Sequence, residues 1–133
     1  MFEFRKTDHE DLTILYLQGH LNALTAEQLR GVINEMVMTQ RRFVILDLSS
    51  LELIDSSGVG ALVSLFKRIR GFQGQVKIAG LRGQPREIFR LLNLHKAFDI
   101  ASDVEEAARD LLGKMTGEPQ SLKILKRLGV LSK

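Results

Sequence analysis

Cysteine and tryptophan are absent from the 133 residues, and there are only two prolines and one tyrosine. Without cysteine there is no disulfide framework and no thiolate zinc site. No apolar run approaches the roughly 18 residues that a membrane span needs. The opening residues, Met1 to Lys6, alternate apolar and charged side chains, and no signal-peptide core follows them. The sequence therefore reads as a soluble, cytoplasmic chain. An excess of charge is also missing once the sequence is divided. The net +3 is carried by residues 114–133, where Lys114, Lys123, Lys126, Arg127 and Lys133 face a single acid, Glu118. The remaining 113 residues hold 14 basic and 15 acidic groups. A nucleic-acid footprint needs basic residues gathered on one surface, so direct nucleic-acid binding is not expected.

What is present suits one packed domain. The hydrophobic fraction is 44%, too high for a chain disordered throughout, and the length fits a single domain. Phe2 and Phe4 alternate with Glu3 and Arg5 as in a half-buried strand, Thr7–Asp11 reads as a turn, and Leu12–Gln18 is a second strand, so the chain opens with a hairpin. Thr25 to Gln28 fits a capping box at a helix start. Behind it Leu29, Val32, Ile33, Met36 and Val37 repeat at helical spacing. Phe43–Leu48 is short and almost wholly apolar, the pattern of a strand buried on both faces.

A second helix after Ser57 buries Val59, Leu62, Val63 and Phe66, and Gly71 and Gly74 end it. Val76–Ala79 is the next strand. Pro85 suits a first helical turn, with Ile88, Phe89, Leu91 and Leu92 as that helix's apolar face. Ala97–Ile100 makes a short last strand. Ser102 to Glu105 is a further capping box before Val104, Ala107, Ala108, Leu111 and Leu112, and Gly113 is placed to end that helix in a left-handed conformation. The order β-β-α-β-α-β-α-β-α predicts an α/β fold, with a mixed, mostly parallel β-sheet and packed helices, over residues 1–113. Residues 114–133 form a basic C-terminal extension in which Ser121–Leu128 could make a short amphipathic helix. That tail admits three readings: a solubilising extension, a helix docking on the body or a partner, or a contact with an anionic membrane surface. Its few cations and aliphatics give only weak membrane attachment by themselves.

The most informative segment runs from Leu53 to Gly60 and contains Asp55, Ser56, Ser57 and Gly58. It falls at a strand-to-helix turn, where α/β sheets concentrate ligands and modifications. First-turn amides there are unpaired and carry partial positive charge. A phosphate on Ser56 would sit in a favourable dipole and add close to two negative charges beside Asp55. Plain helix capping explains the same residue types. Catalytic alternatives find little support. The nucleophile elbow Gly-x-Ser-x-Gly is absent, as is the lysine of a phosphate-binding loop. His9, His20 and His95 fall in turns and loops without the paired spacing of a metal site. The chain reads as a non-enzyme with no cofactor and no metal.

The segment from Val44 to Leu62, with its Asp55-Ser56-Ser57-Gly58 core, resembles the signature of the STAS family, the sulfate-transporter and anti-sigma-factor-antagonist domains. The likeness extends through Gly19–Leu29, Val76–Gly80, Ile88–Leu94, Phe98–Ile100 and Val104–Ala108, about 110 residues in all. It implies the STAS fold and a bacterial anti-sigma factor antagonist. In such antagonists the serine immediately after the aspartate is phosphorylated by the partner, an anti-sigma factor that is itself a serine kinase. Carried over, Ser56 is the phosphoacceptor, and Asp55, Ser57, Gly58, Asn22 and Thr25 are partner-facing. The resemblance implies partner switching: the unmodified chain sequesters the kinase and frees a sigma factor, phosphorylation releases it, and a PP2C-type phosphatase resets it. Family antagonists usually carry an acidic residue where this chain has Asn22, and often another where it has His20, which alters the partner-facing surface. The alternative is a STAS scaffold or regulatory subunit of a stress-sensing complex or of a lipid-transport ABC system.

Overall fold

The computed structural model describes residues 1–115, with side chains as far as Gly113. Five strands form one sheet in sequence order: β1 (Phe2–His9), β2 (Leu12–Leu21), β3 (Phe43–Ile54), β4 (Gln75–Ala79) and β5 (Asp99–Ala101). β1 is antiparallel to β2, and all later neighbours are parallel. The helices are α1 (Ala23–Met38), α2 (Ser56–Arg70), α3 (Gly83–Leu91) and α4 (Val104–Met115), with a 3-10 turn at Leu94–Lys96. This is the mixed, mostly parallel α/β sheet that the alternation of elements predicts.

Two apolar layers explain why β3 reads as a continuous hydrophobic run. Val44, Leu46 and Leu48 point into the larger core beneath α1, α2 and α3, with Leu29, Met36, Leu62, Leu65 and Phe89. Phe43 and Ile45 point the other way, where Leu12, Ile14, Ala107, Ala108 and Leu111 close a smaller core beneath α4. A strand covered on both faces has no polar positions to alternate. α4 is also held by an ion pair: the Lys77 ammonium, on a nearly buried stem, lies 3.0 Å from the Asp110 carboxylate.

Several boundaries differ from the sequence expectation. The turn expected over Thr7–Asp11 shrinks to Glu10 and Asp11, since β1 runs on to His9 and Glu10 adopts a positive φ of 56°. α1 starts two residues before Thr25. Its cap is Asn22, whose side chain accepts from the amides of Leu24 and Thr25, while the Thr25 hydroxyl accepts from the Asn22 amide. The reciprocal box is real but shifted three residues from the expected Thr25–Gln28. The last cap shifts by one: Asp103 accepts from the Glu106 amide, and Glu106 in turn accepts from Ser102.

In α2, Leu65 and Ile69 are fully buried, whereas Val63 and Phe66 only lean on the core. Leu91 and Leu92 are 74% and 53% exposed, so they are not the apolar face of α3. That helix ends at Leu91, and Asn93 in a left-handed conformation turns the chain away before a third turn can pack. β5 sits at Asp99–Ala101, two residues later than expected at its start. Gly113 does not end α4, which continues to Met115. The proposed tail helix at Ser121–Leu128 lies outside the described residues. Among the described residues no helix is long and apolar enough to cross a membrane.

A polar cluster pins the hairpin turn to the end of α1. The Thr13 hydroxyl donates to Asp8 (2.6 Å), and Arg41 donates to Thr13 and to the Glu10 and Leu12 carbonyls. Partial burial would raise the Asp8 pKa, but hydrogen bonds from Lys6 and Thr13, with the nearby Arg41 charge, outweigh it and hold it below the ordinary carboxylate value. A depressed folded pKa stabilises the fold above the unfolded value and loses that effect as pH falls through the folded value. Asp8→Asn should therefore unfold at lower denaturant than the parent at neutral pH. The two midpoints should converge on acidification, and parallel midpoints across the acid range would count against the assignment. In the smaller core, Asp110→Ala leaves the Lys77 ammonium unpaired and should cost about 1–3 kcal/mol in denaturant unfolding. Adding Lys77→Met should recover most of that loss.

Candidate functional site

The C-terminal ends of β2 and β3 meet at one point. The Asp55 amide donates to the Leu21 carbonyl at 3.1 Å, which sets the Leu21–Asn22 corner beside the Asp55–Ser56 corner. At each corner the chain turns into a helix behind a capping side chain. Asn22 caps α1, and Asp55 caps α2 by accepting from the Gly58 amide at 3.0 Å. Each cap satisfies first-turn donors that the helix itself leaves open.

Ser56 is the first residue of α2, two positions earlier than the start expected after Ser57. Asp55, Ser56 and Ser57 are all exposed. The hydroxyls of Ser56 and Ser57 make no hydrogen bond to any described residue. Ser56 thus presents a hydroxyl unengaged by the described residues at the positive end of a fifteen-residue helix.

Two of the expected partner-facing residues have a different role. Thr25 is buried, with its hydroxyl donating to the His20 carbonyl at 2.8 Å and accepting from the Asn22 amide. Gly58 is buried too, and an added Cβ would stand 2.6 Å from the Leu21 carbonyl oxygen and 2.8 Å from Ile54. Both residues build the corner rather than present a contact surface. His20 lies in β2 rather than in a loop, with its Nε2 3.3 Å from Glu52. Asn22 remains at the surface, but its carbonyl oxygen is engaged in the α1 cap.

Gln84 was invisible to sequence reasoning. Its side-chain amide clamps the Ile54 backbone, with Oε1 accepting from the Ile54 amide (2.9 Å) and Nε2 donating to the Ile54 carbonyl (3.0 Å). It replaces the neighbouring strand that the end of β3 lacks on that side, and so fixes the residue just before Asp55. Bonds across 30 residues leave no periodic trace, and only the pairing of Gln84 with Pro85 in a first turn hints at a special helix start.

Beside Ser57, α1 and α2 leave a groove of about 640 Å³, lined by small residues such as Ala23, Ala26, Gly60 and Ala61 and by the charged Glu27, Arg30 and Arg68. Small side chains there admit a protruding group from another molecule. Among the described residues no three His, Asp or Glu side chains cluster at metal-ligating distance. The contrast between two glycines of α2 tests the corner. Gly58→Ala should cost about 1–3 kcal/mol through overpacking against Leu21. Gly60→Ala, whose Cβ would meet nothing within 4 Å, should stabilise by about 0.5–1 kcal/mol through helix propensity. Equal effects in thermal unfolding would refute the packing account.

Comparison with known proteins places this geometry. The sequence profile of the STAS domain matches residues 3–107. BtrV of Bordetella bronchiseptica, provisionally named an anti-sigma factor antagonist, is 32% identical over 99 residues, 74% of this chain and 85% of its own length. The anti-sigma-B factor antagonist of Listeria monocytogenes is 26% identical over 96 residues, covering 72% of this chain and 82% of its own. Among solved structures, a Thermotoga maritima protein given the same provisional name superposes with a TM-score of 0.76 at 25% identity, over 80% of this chain and 92% of that one. With its profile match over most of the chain, its five-stranded sheet and its Asp-Ser-Ser-Gly helix start, the chain belongs to the STAS domain family.

Proposed function

We propose that this chain is an anti-sigma factor antagonist whose binding to an anti-sigma factor serine kinase is switched by phosphorylation of Ser56. The observation that carries the reading is the Ser56 hydroxyl: exposed, free of hydrogen bonds to the described residues, and set on a rigid corner. A kinase active site needs a hydroxyl it can reach. The names of the relatives support the antagonist role, and the groove between α1 and α2 offers room for a partner's side chains next to the switch.

Phosphorylation acts here by charge. The ester adds roughly two negative charges beside Asp55, while the first-turn amides of α2 stabilise it locally. The fold has no reason to change, because Ser56 carries no hydrogen bond that the phosphate would break. A partner that packs its surface over this corner must then bury a dianion next to a carboxylate, and like-charge juxtaposition costs several kcal/mol. The unmodified chain binds the kinase, the modified chain leaves it, and a PP2C-type phosphatase restores binding. Asp55 and Ser57 flank the gate, and Asn22 presents a neutral amide at the neighbouring corner.

The test uses a kinase from the same genome, ATP and mass spectrometry. Phosphate should map to Ser56 and vanish in Ser56→Ala. Ser56→Glu should weaken kinase binding at least about tenfold with an unchanged unfolding midpoint. A label that persists in Ser56→Ala, or a Ser56→Glu protein that binds as tightly as the parent, overturns the proposal.

A further inference from the structure

The sheet ends in two unlike edges. β5 is three residues long, whereas β1 offers eight, Phe2–His9. The pairing of β1 with β2 runs unbroken from Phe2 opposite Gly19 to His9 opposite Leu12, without a bulge and without proline. The His20 amide donates to the Met1 carbonyl at 2.8 Å, and that bond sets the phase of the ladder. Odd-numbered residues turn their backbone groups toward β2, so Phe2, Phe4, Lys6 and Asp8 turn theirs outward. A long, regular edge of this kind is a template for another strand.

Charge is the usual protection of such an edge, and β1 carries Glu3, Arg5, Lys6 and Asp8. Their order makes the edge complementary to itself in two registers, centred on Phe4 and on Thr7. Two copies related by a two-fold axis perpendicular to the sheet pair antiparallel, with same-face residues opposite one another, so the axis must pass through a single residue. Centred on Glu3, Arg5, Lys6 or Asp8, the pairing sets that charge against its own copy, and centred on Thr7 it sets Lys6 against Asp8, two groups that already pair with each other within one chain at 2.8 Å. Centred on Phe4, it sets Phe4 against Phe4 and Glu3 against Arg5 of the second copy, twice. Glu3 is exposed with no partner among the described residues. Phe4, the third of the eight residues of β1, is 40% exposed, an apolar ring that the two-fold would cover. Arg5 is already held in place, its guanidinium 4.0 Å from the centre of the Tyr16 ring.

We propose that β1 is a homodimerisation edge, and that two copies join antiparallel about Phe4 into one ten-stranded sheet. A single strand pair with one apolar contact buries less surface than an obligate interface, so the dimer forms and dissociates with concentration. Reversal of strand direction across the axis sends the Ser56 corners to opposite ends of the joined sheet, and both stay open to partners.

Sedimentation of the full chain over a concentration series should show a monomer–dimer equilibrium. Arg5→Glu places Glu3 against a glutamate, and Glu3→Arg places Arg5 against an arginine. Each should raise the dimer dissociation constant at least about tenfold, and the double variant Glu3→Arg/Arg5→Glu should restore it. Phe4→Cys supplies the only thiol in the chain, and opposed residues in a hydrogen-bonded antiparallel pair lie about 5.5 Å apart at Cα, within disulfide range. Oxidation should then give a covalent dimer faster than Asp8→Cys does. A chain that stays monomeric with no preferential Phe4→Cys cross-link overturns the proposal, and so does a dimer that Arg5→Glu leaves intact. The cross-link decides the matter even if a charge variant folds poorly.

Discussion

One carbonyl oxygen organises the end of the molecule that carries Ser56. The Leu21 oxygen ends β2, receives the Asp55 amide from the end of β3, and lies where only a glycine at position 58 lets α2 approach. The two strand ends, and the two helices that leave them, are thereby fixed relative to each other. Gln84 adds a clamp from the next crossover, so the residue before the Asp55–Ser56 corner is held on both sides. The exposed serine, the first residue of α2, follows a strand-to-helix connection tied down on both sides, whereas connecting segments are generally the mobile parts of a domain.

The same junction explains the division of labour among the conspicuous residues. Gly58 and Thr25 are spent on packing and capping, and Asp55 combines a cap with an exposed carboxylate. Ser56 and Ser57 are left over, polar and unengaged. A buried hydroxyl that is fully bonded stabilises; a surface hydroxyl bonded to nothing contributes little to folding and remains free for chemistry. The distinction depends on burial and geometry and not on residue type.

Much of the architecture was legible in the sequence because it rests on period and punctuation. The all-apolar run at Phe43–Leu48 announced a strand with two covered faces, and the alternating start announced a hairpin. The Asp55–Gly58 turn announced itself by position between a buried strand and an amphipathic helix. The misreadings have particular causes. Two overlapping capping patterns, Asn22–Thr25 and Thr25–Gln28, compete on equal local terms, and only the tertiary path of β2 selects the first. Leu91 and Leu92 keep helical spacing, yet the left-handed turn at Asn93 leaves no further helix to bury them. Gly113 has the chemistry of a helix stop without the left-handed backbone that would make it one. Gln84 acts through a side-chain contact with a strand thirty residues away, which no local pattern encodes.

The stiffness of the Ser56 corner has a consequence for any signal sent through it. A gate that swings transmits by shape and works alike in dilute and concentrated electrolyte. A gate that stays put and only changes charge transmits through a field, and mobile ions attenuate that field over about 8 Å at physiological ionic strength. The contrast between the esterified and free forms would then be steepest in dilute electrolyte and would flatten as salt accumulates, with the gain of the device set partly by the medium around it.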